Sequence, residues 1–237
     1  MRRIALGIGI ALTLAACTTT INIGGLRGSG DMTTEARDVS GFTAIVLEGS
    51  GTVNIVIDGT ESLTIEAEDN LISHLTSAVS NGTLTLGSDT SISPTREIVY
   101  TLSAAELDAV SIDGSGTITT GDVDAESFEA VISGSGTIRL AAIAVQSFDG
   151  TISGSGEIEA SGSTTDLMVS IPGSGTFSGA GLEAAGGTVE IAGSGHAVVN
   201  VSDSLDADVS GSGNVEYLGD PASVRTDISG SGNVEPG

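Results

Sequence analysis

Aliphatic and small polar residues alternate along most of this chain, and the alternation is phased to a recurring tripeptide. Gly-Ser-Gly opens at Gly114, Gly134, Gly154, Gly173, Gly193, Gly211 and Gly230 and closes at Gly116, Gly136, Gly156, Gly175, Gly195, Gly213 and Gly232, with earlier copies opening at Gly28 and Gly49. Two residues before the opening glycine stand Leu47, Ile112, Ile132, Ile152, Ile171, Ile191, Val209 and Ile228. Two residues after the closing glycine stand Val53, Ile118, Ile138, Ile158, Phe177, Ala197, Val215 and Val234. The positions between are polar or small, as in Ser153 and Glu157 or Thr137 and Arg139. Period-two alternation on both sides of a glycine pair predicts strands with one buried face.

From residue 114 onward the triplets lie 20, 20, 19, 20, 18 and 19 residues apart. Such a period marks a repeat architecture in which each unit buries its apolar face against its neighbours. Twenty residues fully extended would span more than about 60 Å, so each repeat is expected to hold several short strands separated by bends. Stacked coils bring equivalent residues to the inter-strand spacing of about 4.8 Å, which turns the Ile positions into one internal column. The expected fold class is therefore all-β, a parallel β-helix.

Within that fold the two glycines of each triplet share the inward parity of the flanking Ile residues, so their missing Cβ atoms allow a corner and close backbone approach. The serines between them, Ser115, Ser135, Ser155, Ser174, Ser194, Ser212 and Ser231, form an outward column able to hydrogen-bond along the stack. A phosphate-cradling glycine loop is disfavoured, because it needs a following helix N-terminus and usually a Lys; the chain has no Lys at all. A second apolar column, Phe128, Phe148, Leu167, Leu205 and Val224, is interrupted at Gly187 and is expected to fill the far wall. The arcs between, for example 121–126 and 160–165, vary as a surface loop would. Pro172 cannot donate to a ladder, and a local bulge is expected there.

Residues 52–113 are less regular. Asn81-Gly82 between Ser77-Ala78-Val79 and Leu84 reads as a hairpin turn. The stretch is expected to form either about three degenerate coils or a cap with a hairpin.

The N-terminus changes the picture from fold to address. Arg2 and Arg3, the apolar run from Ile4 to Leu14, and Leu14-Ala15-Ala16-Cys17 read as an export leader over residues 1–17, too short to span a bilayer comfortably. The last four residues resemble the lipobox of bacterial lipoproteins, which implies Cys17 as the lipidated residue and a membrane anchor. Thr18 and Thr19 stand where an inner-membrane retention signal often carries Asp, so the expected address is the outer membrane, facing periplasm or exterior. Residues 18–27 are expected to be a linker and 28–237 one domain. Cys17 is the single cysteine, which excludes an intrachain disulfide.

The chain carries 31 acidic and seven basic residues, a formal net charge of −24. Such a surface repels nucleic acid, and that class of partner is excluded. Its role is expected to be solubility and protection of sheet ends. Cation capture is the alternative: Asp122, Asp124 and Glu126 or Asp203, Asp206 and Asp208 could supply oxygen ligands for calcium, but neither run matches a calcium-loop motif. His74 and His196 are several coils apart and lack zinc-ligand partners. Polysaccharide-cleaving β-helix enzymes use paired carboxylates; a shortage of cations, few aromatics and short arcs argue against one here. No catalytic residue and no cofactor are expected.

Gly28-Ser29-Gly30, Arg37-Asp38-Val39-Ser40-Gly41-Phe42, Ile45 before Gly49-Ser50-Gly51, Glu66-Ala67-Glu68-Asp69-Asn70-Leu71, Asn81-Gly82-Thr83-Leu84 and the terminal Gly-Ser-Gly-Asn-Val segments together resemble the head GIN domain family, described as putative auto-transporter adhesins. The likeness extends over roughly residues 28–235. It implies a right-handed β-helix on an envelope protein, without established catalytic residues, acting as an adhesin or surface-binding module toward a glycan or protein ligand. A structural lipoprotein without external ligand and a polysaccharide-active enzyme are the alternatives. Only five residues follow Gly232, so no membrane barrel of the autotransporter kind is expected within this chain.

Overall fold

The computed structural model describes residues 25–237. The leader 1–17, Cys17 and most of the linker 18–27 lie outside the described residues. Strands follow one another as β1 (Leu26–Arg27), β2 (Met32–Arg37), β3 (Ala44–Gly49), β4 (Thr52–Ile57), β5 (Ser62–Glu68), β6 (Leu75–Ser80), β7 (Thr83–Ser88), β8 (Ile92–Ser93) and β9 (Val99–Ala104). They continue with β10 (Ala109–Gly114), β11 (Thr117–Gly134), β12 (Thr137–Gly154), β13 (Glu157–Ile171), β14 (Thr176–Gly193), β15 (His196–Gly211), β16 (Asn214–Leu218), β17 (Ser223–Gly230) and β18 (Asn233–Pro236). A 3-10 turn at Ile72–His74 is the one helical element among the described residues.

From β10 onward the chain is a parallel β-solenoid. Val110 pairs with Ala130 and Ile112 with Ile132, and the same ladder continues coil by coil to Val209 against Ile228. Ile112, Ile132, Ile152, Ile158, Ile171 and Val209 have no exposed surface, so the internal column is dry. Phe128 stacks on Phe148 with ring centroids 6.3 Å apart, and Phe148 meets Phe177 at 6.1 Å. Burying such rings contributes about 2–3 kcal/mol each, beyond which ring pairing adds roughly 1 kcal/mol.

Three expectations about the coil need revision. Strands are not short: β11 and β12 pair from Thr117 against Thr137 to Gly134 against Gly154, around the whole coil. In-register neighbours keep this ladder bonded through gentle bends from one triplet to the next. The variable arc is accordingly paired strand rather than loop. At Pro172 the change is a shortened ladder: β13 stops at Ile171, its pairing with β12 ends at Thr151 against Ser170, and no bulge interrupts that ladder near Pro172.

The two triplet glycines serve different ends. The first takes φ between +130° and +153° at 114, 134, 154, 193, 211 and 230, and a Cβ there would collide with the carbonyl oxygen of the glycine below. Gly173, after Pro172, is not among these positive-φ positions. The second faces the interior, where a Cβ on Gly136 would lie 2.7 Å from Ile112 Cγ2. The serine hydroxyls point to solvent, and the stack is bonded there by backbone, Ser135 N–H donating to Gly114 O at 2.8 Å.

The N-terminal region is the cap with a hairpin. β6 and β7 form an antiparallel hairpin whose turn residues Asn81 and Gly82 have φ of 50° and 80°, the left-handed pair that matches strand twist. β5 runs antiparallel to both β2 and β9, while β3 and β4 stack parallel on the first full coils. Leu26 and Arg27, at the end of the expected linker, pair with Ile92 and Ser93.

Candidate binding grooves

The unequal triplet spacings have a structural consequence. A coil one or two residues shorter than its neighbour cannot stay in register all the way round, so the ladder must slip. The corners and the Ile column cannot absorb a slip without exposing core. The slips fall instead in the variable arc, between Leu140 and Ile143, between Glu159 and Ser161, and twice between Gly179 and Gly186.

There the outer surface opens into a groove of about 520 Å³. It is lined by Leu140, Ala141, Ala160, Ala180 and Gly181 together with the outward column Thr119, Arg139, Glu159, Ser178 and Val198. Arg139 Nε lies 3.4 Å from Glu159 Oε2, with both side chains about half exposed. An ion pair this open is worth less than about 1 kcal/mol, so it yields readily to a ligand. Ser161 Oγ donates to the carbonyls of Ala141 and Leu140, closing one end. A second hollow of about 500 Å³ is lined by Leu167, Gly187 and Leu205 together with Asp166, Asp206 and Arg225.

A glycosidase needs two carboxylates flanking one bond. The first groove holds one, Glu159, already paired with Arg139. Its donors and acceptors suit a polar ligand with an apolar face.

The other candidates are dispersed. His74 Nδ1 lies 3.0 Å from Asp89 Oδ1 in the cap, while His196 sits half-buried between Thr176 and Asn214 in the coils. Asp122 and Asp124 are stacked against Ala142 and Ala144, and Asp206 is held by Arg225 at 2.8 Å. Among the described residues no three His, Cys, Asp or Glu side chains are grouped to hold a metal.

Glu68 entered the sequence reading only as part of the segment 66–71, with no role of its own. It is buried, and it accepts hydrogen bonds from Thr95 Oγ1, from Thr95 N at 2.8 Å and from Gly30 N at 2.7 Å. Thr95 foremost, with these N–H groups, holds its carboxyl below the ordinary range despite burial. The earliest triplet, 28–30, is thus no coil corner: a Cβ on Gly28 would strike this carboxylate, and Ser29 Oγ bonds Asp69 at 2.6 Å. Burial alone pushes the Tyr100 phenol up to about 12, against a lowering by Arg37.

Residues 41–221 match the family described as "Putative auto-transporter adhesin, head GIN domain". No curated protein matches the sequence. Among solved structures, a putative adhesin from Bacteroides fragilis NCTC 9343 superposes with TM-score 0.85 at 22% identity, covering 90% of this chain and all of that one. A putative lipid binding protein from Parabacteroides distasonis ATCC 8503 gives 0.74 at 24% identity over 90% and 99% of the two chains. A putative adhesin from the same organism gives 0.70 at 22% over the same shares. At these identities the likeness is one of fold.

Proposed function

Since the chain belongs to the head GIN domain family, we propose that it is a non-catalytic binding module of the bacterial cell envelope, an adhesin that engages a surface glycan or protein along its solenoid face. One observation carries this reading: the groove of mixed apolar and polar lining that opens at the register slips of adjacent coils. Outward positions repeat every coil at about 4.8 Å, so weak contacts add along the face through effective concentration. In this reading the leader exports the chain and a lipid on Cys17 tethers it to the outer membrane.

The test is a deletion strain complemented with wild-type or with Arg139→Ala/Glu159→Ala chain, scored for attachment to surfaces and to sister cells. Attachment lost on deletion and restored by wild type but not by the double variant supports the reading. Unchanged attachment of the deletion strain overturns it. Protease shaving of intact cells reports whether the chain faces outward, and Cys17→Ser should move it from membrane to soluble fractions.

A further inference from the structure

The two ends of the solenoid differ. At one end the cap covers the first coils; at the other, β17 pairs with β15 on one edge and with no strand on its other edge among the described residues. Every residue of β17 is exposed, including Val224 at 40% and Ile228 at 42%. Register places Val224, Thr226 and Ile228 over Leu205, Ala207 and Val209, all buried, so these three carry the core column to an uncovered end.

We propose that this end is covered by a second copy of the chain, β17 lying antiparallel to β17 of that copy about a two-fold axis through Thr226. The strand is self-complementary in that register. Thr226 faces Thr226, Val224 faces Ile228, and Arg225 faces Asp227, each of the last two pairs occurring twice. Slipping by one residue along each strand sets Arg225 against Arg225 or Asp227 against Asp227, so charge selects one register.

Backbone parity agrees. In the coils the outward position of this column sends its N–H to the previous coil, as Glu129 N does to Asp108 O at 2.9 Å. Arg225 and Asp227 fall at outward positions of β17, in register with Asp206 and Asp208, which leaves the N–H and C=O groups of Val224, Thr226 and Ile228 on the open edge. An antiparallel pairing centred on Thr226 therefore makes Thr226 a hydrogen-bonded pair. Arg225 and Asp227 become a non-bonded pair, where side chains stand closest, at about 4.5 Å between Cα atoms. Outward charges are also a way to guard an edge, but those of β17 are of opposite sign and complement each other across the two-fold axis.

An isologous contact closes at two copies. It also puts the two caps at opposite ends of a double-length rod. If each chain is anchored through Cys17, a clause that rests on the function proposed above, the pair joins facing surfaces rather than neighbours in one membrane.

Analytical ultracentrifugation of the full chain in buoyancy-matched detergent tests the pairing without reference to the anchor. Two chains per particle are expected, with Arg225→Asp weakening association by roughly 10-fold or more and Arg225→Asp/Asp227→Arg restoring it. Single chains at all concentrations, assemblies larger than two, a pair indifferent to Arg225→Asp, or no restoration in the charge-swapped chain would each overturn it. Vesicles bearing the full chain should cluster, and those bearing Arg225→Asp should not. Pairing in solution without vesicle clustering overturns the bridging of surfaces and leaves the interface standing.

Discussion

The same tripeptide occurs in the cap and in the coils, and it does unlike things there. At 134–136 or 154–156 each glycine is demanded by the coil beneath it, through a carbonyl oxygen at the first position and an Ile methyl at the second. At 28–30 only the first glycine makes room for a side chain, the Glu68 carboxylate, while Gly30 donates its N–H to that group, and no second triplet stacks on them. Coil stability is therefore a property of neighbours repeated along an axis, whereas the cap adds a single, unrepeated polar cluster around Glu68 to its share of the apolar core. A motif in a repeat is defined by what lies one period away, not by its own letters.

The sharpest way to break the comparison is a methyl group. Gly154→Ala adds a Cβ at φ +144° against the Gly134 carbonyl, and we expect a loss of about 4 kcal/mol or more in chemical denaturation. Ser155→Ala, one residue on and solvent-facing, should change stability by less than about 0.5 kcal/mol. Phe148→Ala removes the middle ring of the Phe128, Phe148 and Phe177 row and should cost about 3 kcal/mol. Its damage should spread through the coils in hydrogen exchange while the β6–β7 hairpin keeps its protection.

Glu68→Gln is the converse experiment, confined to the cap. Hydrogen bonds hold the Glu68 carboxyl below its ordinary value of 4.5, so its contribution is full above that pH and is lost as pH falls through the lower folded value. Exchange in β2 and β5 should therefore be faster in Glu68→Gln than in wild type at neutral pH. The two proteins should converge in acid, and a difference that persists there would contradict the assignment. Thr120→Val has a small effect of the opposite sign. The Thr120 hydroxyl is buried without a partner among the described residues, and its replacement should raise stability by about 1 kcal/mol.

These regions were not equally legible in the sequence. The coils could be read because Ile132, Ile152 and their equivalents obey period two locally and a near-20-residue period globally, and both periods have a single packing solution. The hairpin at Asn81-Gly82 was legible because only a left-handed turn uses that pair so readily. Whether the rest of 52–113 formed coils or a cap could not be read, since antiparallel β5 and parallel β4 share the same alternation. Glu68 was hidden because its partners, the Thr95 hydroxyl and the N–H groups of Gly30 and Thr95, lie 27 and 38 residues away in sequence with no periodic pattern linking them. The grooves were present in the sequence as the irregular intervals 19 and 18, but only the ladder shows which arc absorbs the missing residues.

The central claim is that successive triplets stack directly on one another. Paired spin labels on the outward serines test it, in a Cys17→Ser chain carrying cysteines at 115 and 174, 115 and 194, or 115 and 212. Electron paramagnetic resonance should return separations that grow by about 4.8 Å for each coil crossed, near 14, 19 and 24 Å between backbone positions. Separations that do not rise with the number of intervening triplets would contradict the stacked solenoid.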